Sequence, residues 1–197
     1  MNESVRMVVV LAVIAMVSAG VLSVVYQNTS VIIEENLARA LESSVLEVLP
    51  GTSTVNIVRL TPDVTERHED QRTEKEREQS TTLVYQGVDQ QGKIVGYAFV
   101  GEGNGYGGVV RVLVGVNEAS DEIVKIKVLE HSETPGLGSR VEGEDFRNRF
   151  VGKTVEDPIQ VNQDIDNLSG ATVSARAVAQ AVREGLRDTV ALYRGGK

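Results

Sequence analysis

Between residues 82 and 130 the side chains alternate apolar and polar with a period of two, in runs separated by connections too short for a crossover. The runs cover 82–88, 93–100, 109–116 and 122–130. Gln90-Gln91-Gly92 makes the first turn, the glycine-rich stretch 101–108 the second, and 117–121 the third. A parallel pair needs a crossover of about a dozen residues or more, so strands joined this closely lie antiparallel in a meander. Ile123-Val124-Lys125-Ile126-Lys127-Val128 shows the pattern most clearly, and it predicts a half-buried strand with Lys125 and Lys127 outward.

Elements of other kinds flank this sheet. Ile33, Leu37, Leu41, Val45 and Val48 form one helical stripe over 31–49 that stops at Pro50-Gly51, and 55–60 reads as a short strand. A helix is predicted over 142–150, and a last helix follows Thr172, where Val178, Ala181, Val182 and Leu186 recur at helical spacing. The stretch 65–80 mixes charges of both signs without an apolar face and reads as a solvated excursion.

Residues 7–26 carry no charge and are apolar or small apart from Ser18, Ser23 and the terminal Tyr26. A helix of that length spans a hydrocarbon core of about 30 Å. Val17-Ser18-Ala19 before Gly20 offers a signal-peptidase site as the alternative, but the apolar run continues past it and Arg6 is the sole basic residue before it. A retained single anchor is therefore expected. Arg6 before the span and Arg39 after it leave its orientation open. The expected organisation is a tail over 1–6, a transmembrane helix over 7–26, a helical connector over 27–51 and one domain over 52–197. The fold class is α+β: an antiparallel sheet meander with flanking helices, preceded by one N-terminal transmembrane helix.

A net charge of −8 argues against nucleic acid as a partner, because binding phosphate chains calls for a basic face. The chain has no cysteine, which excludes disulfides, thiolate iron–sulfur ligation and cysteine-based zinc sites within it. His131 and the distant His68 do not make a metal site, so none is assigned. Five glycines within 101–108 fit either a ligand phosphate cradle or a hairpin with positive φ, and no Walker lysine or dinucleotide fingerprint accompanies them. His131-Ser132-Glu133-Thr134-Pro135-Gly136-Leu137-Gly138 leaves the last strand through a Pro-Gly turn. Read plainly it is a turn with a solvated histidine. Read functionally, Glu133, Thr134 and the turn amides would hydrogen-bond the edge of a bound ring while Leu137 packs on its face.

Asp166-Asn167-Leu168-Ser169-Gly170-Ala171-Thr172 precedes the last helix. Ser169, Thr172 or Ser174 could serve there as an ordinary helix cap. The same residues resemble the motif at which a flavin transferase joins the FMN half of FAD to a hydroxyl: Asp, two free positions, Ser or Thr, Gly, Ala, then the acceptor. A hydroxyl is needed because its oxygen replaces the adenylate at the phosphate. Gly170 and Ala171 keep their neighbourhood small, and the helix start would set its positive dipole end near the phosphate.

The anchor, Gly105-Tyr106-Gly107-Gly108, the Glu133-Thr134-Pro135-Gly136 loop and the final motif occur in one order over nearly the whole chain. Together they resemble the FMN-binding subunits of respiratory complexes: the G subunit of the Rnf complex and its relative, the C subunit of the sodium-pumping NADH:quinone oxidoreductase. The short linker and single compact domain are more like the Rnf subunit. The resemblance implies covalent FMN on Thr172, with Leu168, Ser169, Gly170 and Ala171 around its phosphate. It places Glu133, Thr134 and Leu137 near the isoalloxazine, with Tyr106 and Gly107 as further candidates. Asp166, Ser169, Gly170, Ala171 and Thr172 would be read by the flavin transferase. Integral membrane subunits of the same redox complex are the implied partners, the domain is expected on the extracytoplasmic side of the cell membrane, and no standalone catalysis is expected. A membrane-tethered FMN-binding sensory domain is the alternative from another class; an autonomous flavin reductase lacks any nicotinamide fingerprint.

Overall fold

The protein is described by a computed structural model covering residues 3–60 and 82–195; the charged excursion over 65–80 lies outside the described residues. One continuous helix, α1 (Glu3–Val48), runs through both the expected anchor and the expected connector. The chain divides into two compact units, Met1–Glu42 and Ser43–Lys197. In the first, Leu11, Ile14, Val17 and Leu22 are exposed. Among the described residues no helix is long and apolar enough to cross a membrane.

The second unit holds a five-stranded sheet in the order β1 (Thr54–Leu60), β2 (Thr82–Val88), β3 (Ile94–Asn104), β4 (Val109–Asn117) and β5 (Ile123–Glu130). Every neighbouring pair is antiparallel, so the meander is as the period-two pattern requires. The predicted loop over 101–108 is corrected: β3 continues through Asn104, and only the turn closed by the Gly105 amide on the Gly108 carbonyl at 2.8 Å remains.

The reason lies in the last helix, α3 (Thr172–Gly195), which packs on β3 and β4. Phe99, Gly101 and Gly103 pair with Val114, Val112 and Val110 and face α3 together. A Cβ on Gly101 would lie 2.2 Å from the Ala181 carbonyl oxygen, and one on Gly103 2.0 Å from that of Ala177. These glycines therefore admit a helix backbone rather than shape a loop. Towards the other end of α3 the rings of Tyr193 and Tyr97 stack with centroids 4.4 Å apart. Tyr193 accepts a hydrogen bond from Gln86 and donates one to Glu118, while Arg194 reaches Asp121 at 2.6 Å. Burial, reinforced by the Asp121 carboxylate, pushes the Tyr97 phenol well above its ordinary pKa.

On the opposite face of the sheet, Gly115 makes room for the end of α1, where a Cβ would come 2.5 Å from the Val48 carbonyl oxygen. Glu47 there receives Lys127 at 2.7 Å and Lys125 at 3.2 Å, which explains why those two lysines leave the α3 side of β5.

The helix predicted over 142–150 starts two residues later: a 3-10 turn (Gly138–Glu142) precedes it, and the short α2 (Glu144–Arg147) runs on into a second 3-10 turn (Asn148–Phe150). Gly143 is extended (φ −61°, ψ 139°) and interrupts the helical path, which lets Val141, Phe146 and Phe150 all point into the core. The connection to α3 is irregular but braced: Asp164 accepts amides from Ile159 and Gln160 at 3.1 and 2.8 Å and pairs with Lys153.

Candidate cofactor-binding site

Three segments meet where the N-terminus of α3 reaches the β3–β4 end of the sheet: the β3–β4 turn, the loop after β5, and the turn before α3. Their convergence follows from the close seat at Gly101 and Gly103, which brings the first turns of the helix down onto the sheet.

The turn before α3 explains the Ser-Gly pair of the motif. The Ala171 amide donates to the Leu168 carbonyl at 2.9 Å, and Gly170 adopts φ +80°. A turn with positive φ at its third residue wants glycine there. Ala171 is buried, and its carbonyl takes the Ala175 amide at 2.9 Å, so it opens the helix and leaves Thr172 as the first residue inside. Thr172 Oγ1 accepts from Asn167 Nδ2 at 3.0 Å, and Ser174 Oγ donates to Glu133, so both hydroxyls are engaged by side chains across the site.

Glu133 ties the three segments together. It is buried; Oε2 accepts from Ser174, and Oε1 accepts the Gly107 amide at 2.9 Å. Burial by itself would raise its carboxyl. The hydrogen bonds from Ser174 and from the Gly107 and Tyr106 amides outweigh that, and hold it below the ordinary carboxylate value. Its own amide donates to His131 Nδ1 at 3.1 Å, while His131 Nε2 lies 3.0 Å from Glu142. A folded-state pKa below the ordinary 4.5 means that this group stabilises fully above pH 4.5, and that the contribution is lost as pH falls through the lowered value. Glu133→Gln is therefore expected to cost about 1–3 kcal/mol at neutral pH. The gap to wild type should narrow in thermal melts at about pH 3; a gap that stays constant contradicts an ionised Glu133.

A cleft of about 460 Å³ opens between these segments, a size in the range of small-molecule sites. Thr172, Glu133 and Thr134 line it, with Leu137, Tyr106, Gly170 and Ala171. Tyr106 is 79% exposed and Leu137 50%, so the cleft has an open apolar rim. Four candidates from the sequence do not line it. Leu168 is buried in the core, Ser169 is exposed with its carbonyl held by Arg140 at 2.8 Å, and Gly107 serves through its amide on Glu133. Asp166 is exposed and its carbonyl accepts from Arg149 at 2.6 Å. Gly138, Val173 and Ser174 line the cleft without having been singled out by the motif. A Cβ on Gly138 would press within 2.8 Å of both Glu133 and Ser174, so its neighbour relation was written only in the folded chain. A separate depression of about 300 Å³ beside Gln160, Arg176, Gln180 and Arg183 contains no motif residue.

Comparison with known proteins supplies the class first: the FMN-binding domain family matches over residues 105–187, which takes in all three segments of the cleft. The chain is 29% identical over 196 residues to the G subunit of the ion-translocating oxidoreductase complex of Methanosarcina acetivorans, covering 98% of each chain. It is 33% identical to the corresponding G subunit of Cereibacter sphaeroides over 89% of this chain and 80% of that one. The chain belongs to the family of G subunits of ion-translocating oxidoreductase complexes. Its fold is similar to the crystal structure of NqrC from Shewanella oneidensis, with a TM-score of 0.63 at 18% identity over 80% of this chain and 96% of that one.

Proposed function

We propose that this chain is the FMN-carrying electron-transfer subunit of an Rnf-type ion-translocating ferredoxin:NAD oxidoreductase, with the flavin joined by a phosphoester to Thr172. The observation that carries the proposal is the position of Thr172: the acceptor hydroxyl of the motif lies at the start of α3 and lines the same cleft as Glu133, Thr134 and Leu137. Membership of the family of G subunits supports the same reading.

The residues present suit such a group. The opening amides of a helix favour a phosphate. Leu137, Val173 and Tyr106 offer exposed apolar surface for a planar ring, and Thr134 a hydroxyl at its edge. Bound FMN supplies the capacity to take up and give back electrons singly. The task of the chain is to hold that group, shield one side of it and fix its surroundings, so no residue is assigned a catalytic role. Intact mass of the chain co-produced with its flavin transferase is expected to rise by one FMN residue. An unchanged mass overturns the reading.

The same proposal makes 7–26 a retained membrane helix after a tail over 1–6, 27–51 the connector and 52–197 an extracytoplasmic domain, with integral membrane subunits of the complex as partners. The uncharged run over 7–26 and the exposure of Leu11, Ile14, Val17 and Leu22 support it. A reporter fused to the C-terminus should be active outside the cytoplasm; activity inside contradicts this topology.

A further inference from the structure

We infer that Asn167 positions the acceptor hydroxyl for attachment of the flavin nucleotide, by donating its side-chain amide to Thr172 Oγ1. This rests on the assignment of Thr172 as the attachment point. Asn167 fills one of the two free positions of the motif, so the pattern gives it no role. The fold gives it one: Nδ2 donates to Oγ1 over 3.0 Å.

The arrangement is held from outside. Arg149 Nη1 donates to the carbonyls of Asp166 and Asn167 at 2.6 and 3.2 Å, and its guanidinium lies 5.4 Å above the ring of the buried Phe146. Arg140 Nη1 donates to the Ser169 carbonyl at 2.8 Å. The backbone on both sides of Asn167 is thus fixed by charged donors. Oδ1 of Asn167 is meanwhile one of the buried side-chain atoms among the described residues that have no hydrogen-bond partner. Leaving a buried acceptor unpaired destabilises a fold. A solvated side chain would avoid that cost by turning outward, yet this one stays on Thr172.

The chemistry gives the contact a use. In the transfer, Thr172 Oγ1 forms a bond to the phosphorus of the FMN half of FAD. The bond from that phosphorus to the pyrophosphate bridging oxygen breaks, AMP leaves with the electron pair, and the hydroxyl proton passes to a base on the transferase. At the start of a helix a threonine hydroxyl tends to turn back onto the helix amides as a cap. Donation from Asn167 occupies one lone pair of Oγ1 and fixes the side-chain rotation, leaving the second lone pair for phosphorus and the proton for the base. Turning the amide over would put Oδ1 on the hydroxyl instead, and an aspartate, which has acceptors alone, separates the two arrangements.

The test follows FMN incorporation into the full chain by intact mass, with purified flavin transferase and FAD, at varied concentrations of acceptor protein. Asn167→Ala is expected to lower kcat about tenfold or more with KM for the acceptor chain unchanged. Asn167→Asp should be no faster than Asn167→Ala. An Asn167→Ala rate equal to wild type, full activity of Asn167→Asp, or a rate loss that tracks a fall in melting temperature each overturns the role. Wild type that takes up no FMN overturns the Thr172 assignment and this role with it, whereas labelled wild type with fully active Asn167 variants overturns the role alone.

Discussion

Thr172→Ala is expected to abolish covalent FMN, and Thr172→Ser to retain it. The two variants separate chemistry from packing. Thr172 is half-buried at the start of α3, so neither change should move the melting temperature far. Alanine removes the oxygen that would bond to phosphorus, while serine keeps it and keeps the partner of Asn167 Nδ2. In-gel flavin fluorescence and intact mass after co-production with the transferase read the result. Fluorescent Thr172→Ala would move the attachment to another hydroxyl, and Ser169 and Ser174 are the nearest in sequence. Of these, Ser174 is buried and already donates to Glu133, which makes it a poor acceptor.

Gly103→Val is the second variant with a large expected effect, and it acts on the fold. A Cβ at that position would sit 2.0 Å from the Ala177 carbonyl oxygen, a backbone atom that can move only if α3 moves. Overpacking of this kind costs on the order of 3 kcal/mol. Because the displaced part of α3 is its N-terminal half, flavin incorporation should fall together with stability. Thermal melts of the variant check the first expectation and labelling the second. A melting curve like that of wild type would mean that α3 is not seated on β3 as described.

The two glycines also show what is and is not legible in the sequence. The meander is legible because a period of two is a local property: residues 82–130 state it without reference to anything else in the chain. Gly101 and Gly103 suggest a loop under the same local reading, since nothing nearby announces the distant helix that needs their missing side chains. The helix expected over 142–150 forms over 144–150, with Phe146 and Phe150 on its buried side, and only its start differs, because Gly143 is extended. At the site, Thr172, Glu133, Thr134, Leu137 and Tyr106 are residues that motif and resemblance pick out, and the fold sets all five around one cleft. Asn167, Ser174, Arg140 and Arg149 are not, because their places are defined by partners 5 to 41 positions away in the chain.

The seating of α3 bears on how any cofactor joined at Thr172 would behave. Close backbone contact near Ala177 and Ala181 fixes the helix towards one end, and the Tyr193 stack with the Arg194 ion pair fixes it towards the other. Thr172 is the first residue of that bar, with no loop between it and the helix. Carriers that shuttle on swinging arms depend on slack in the tether, and here the protein backbone supplies none, so the play is confined to the side chain of Thr172 and the cofactor's own phosphate and polyol bonds. The reach of such a cofactor would be the length of those bonds, and any larger change in the gap to the next carrier would require the whole domain to move.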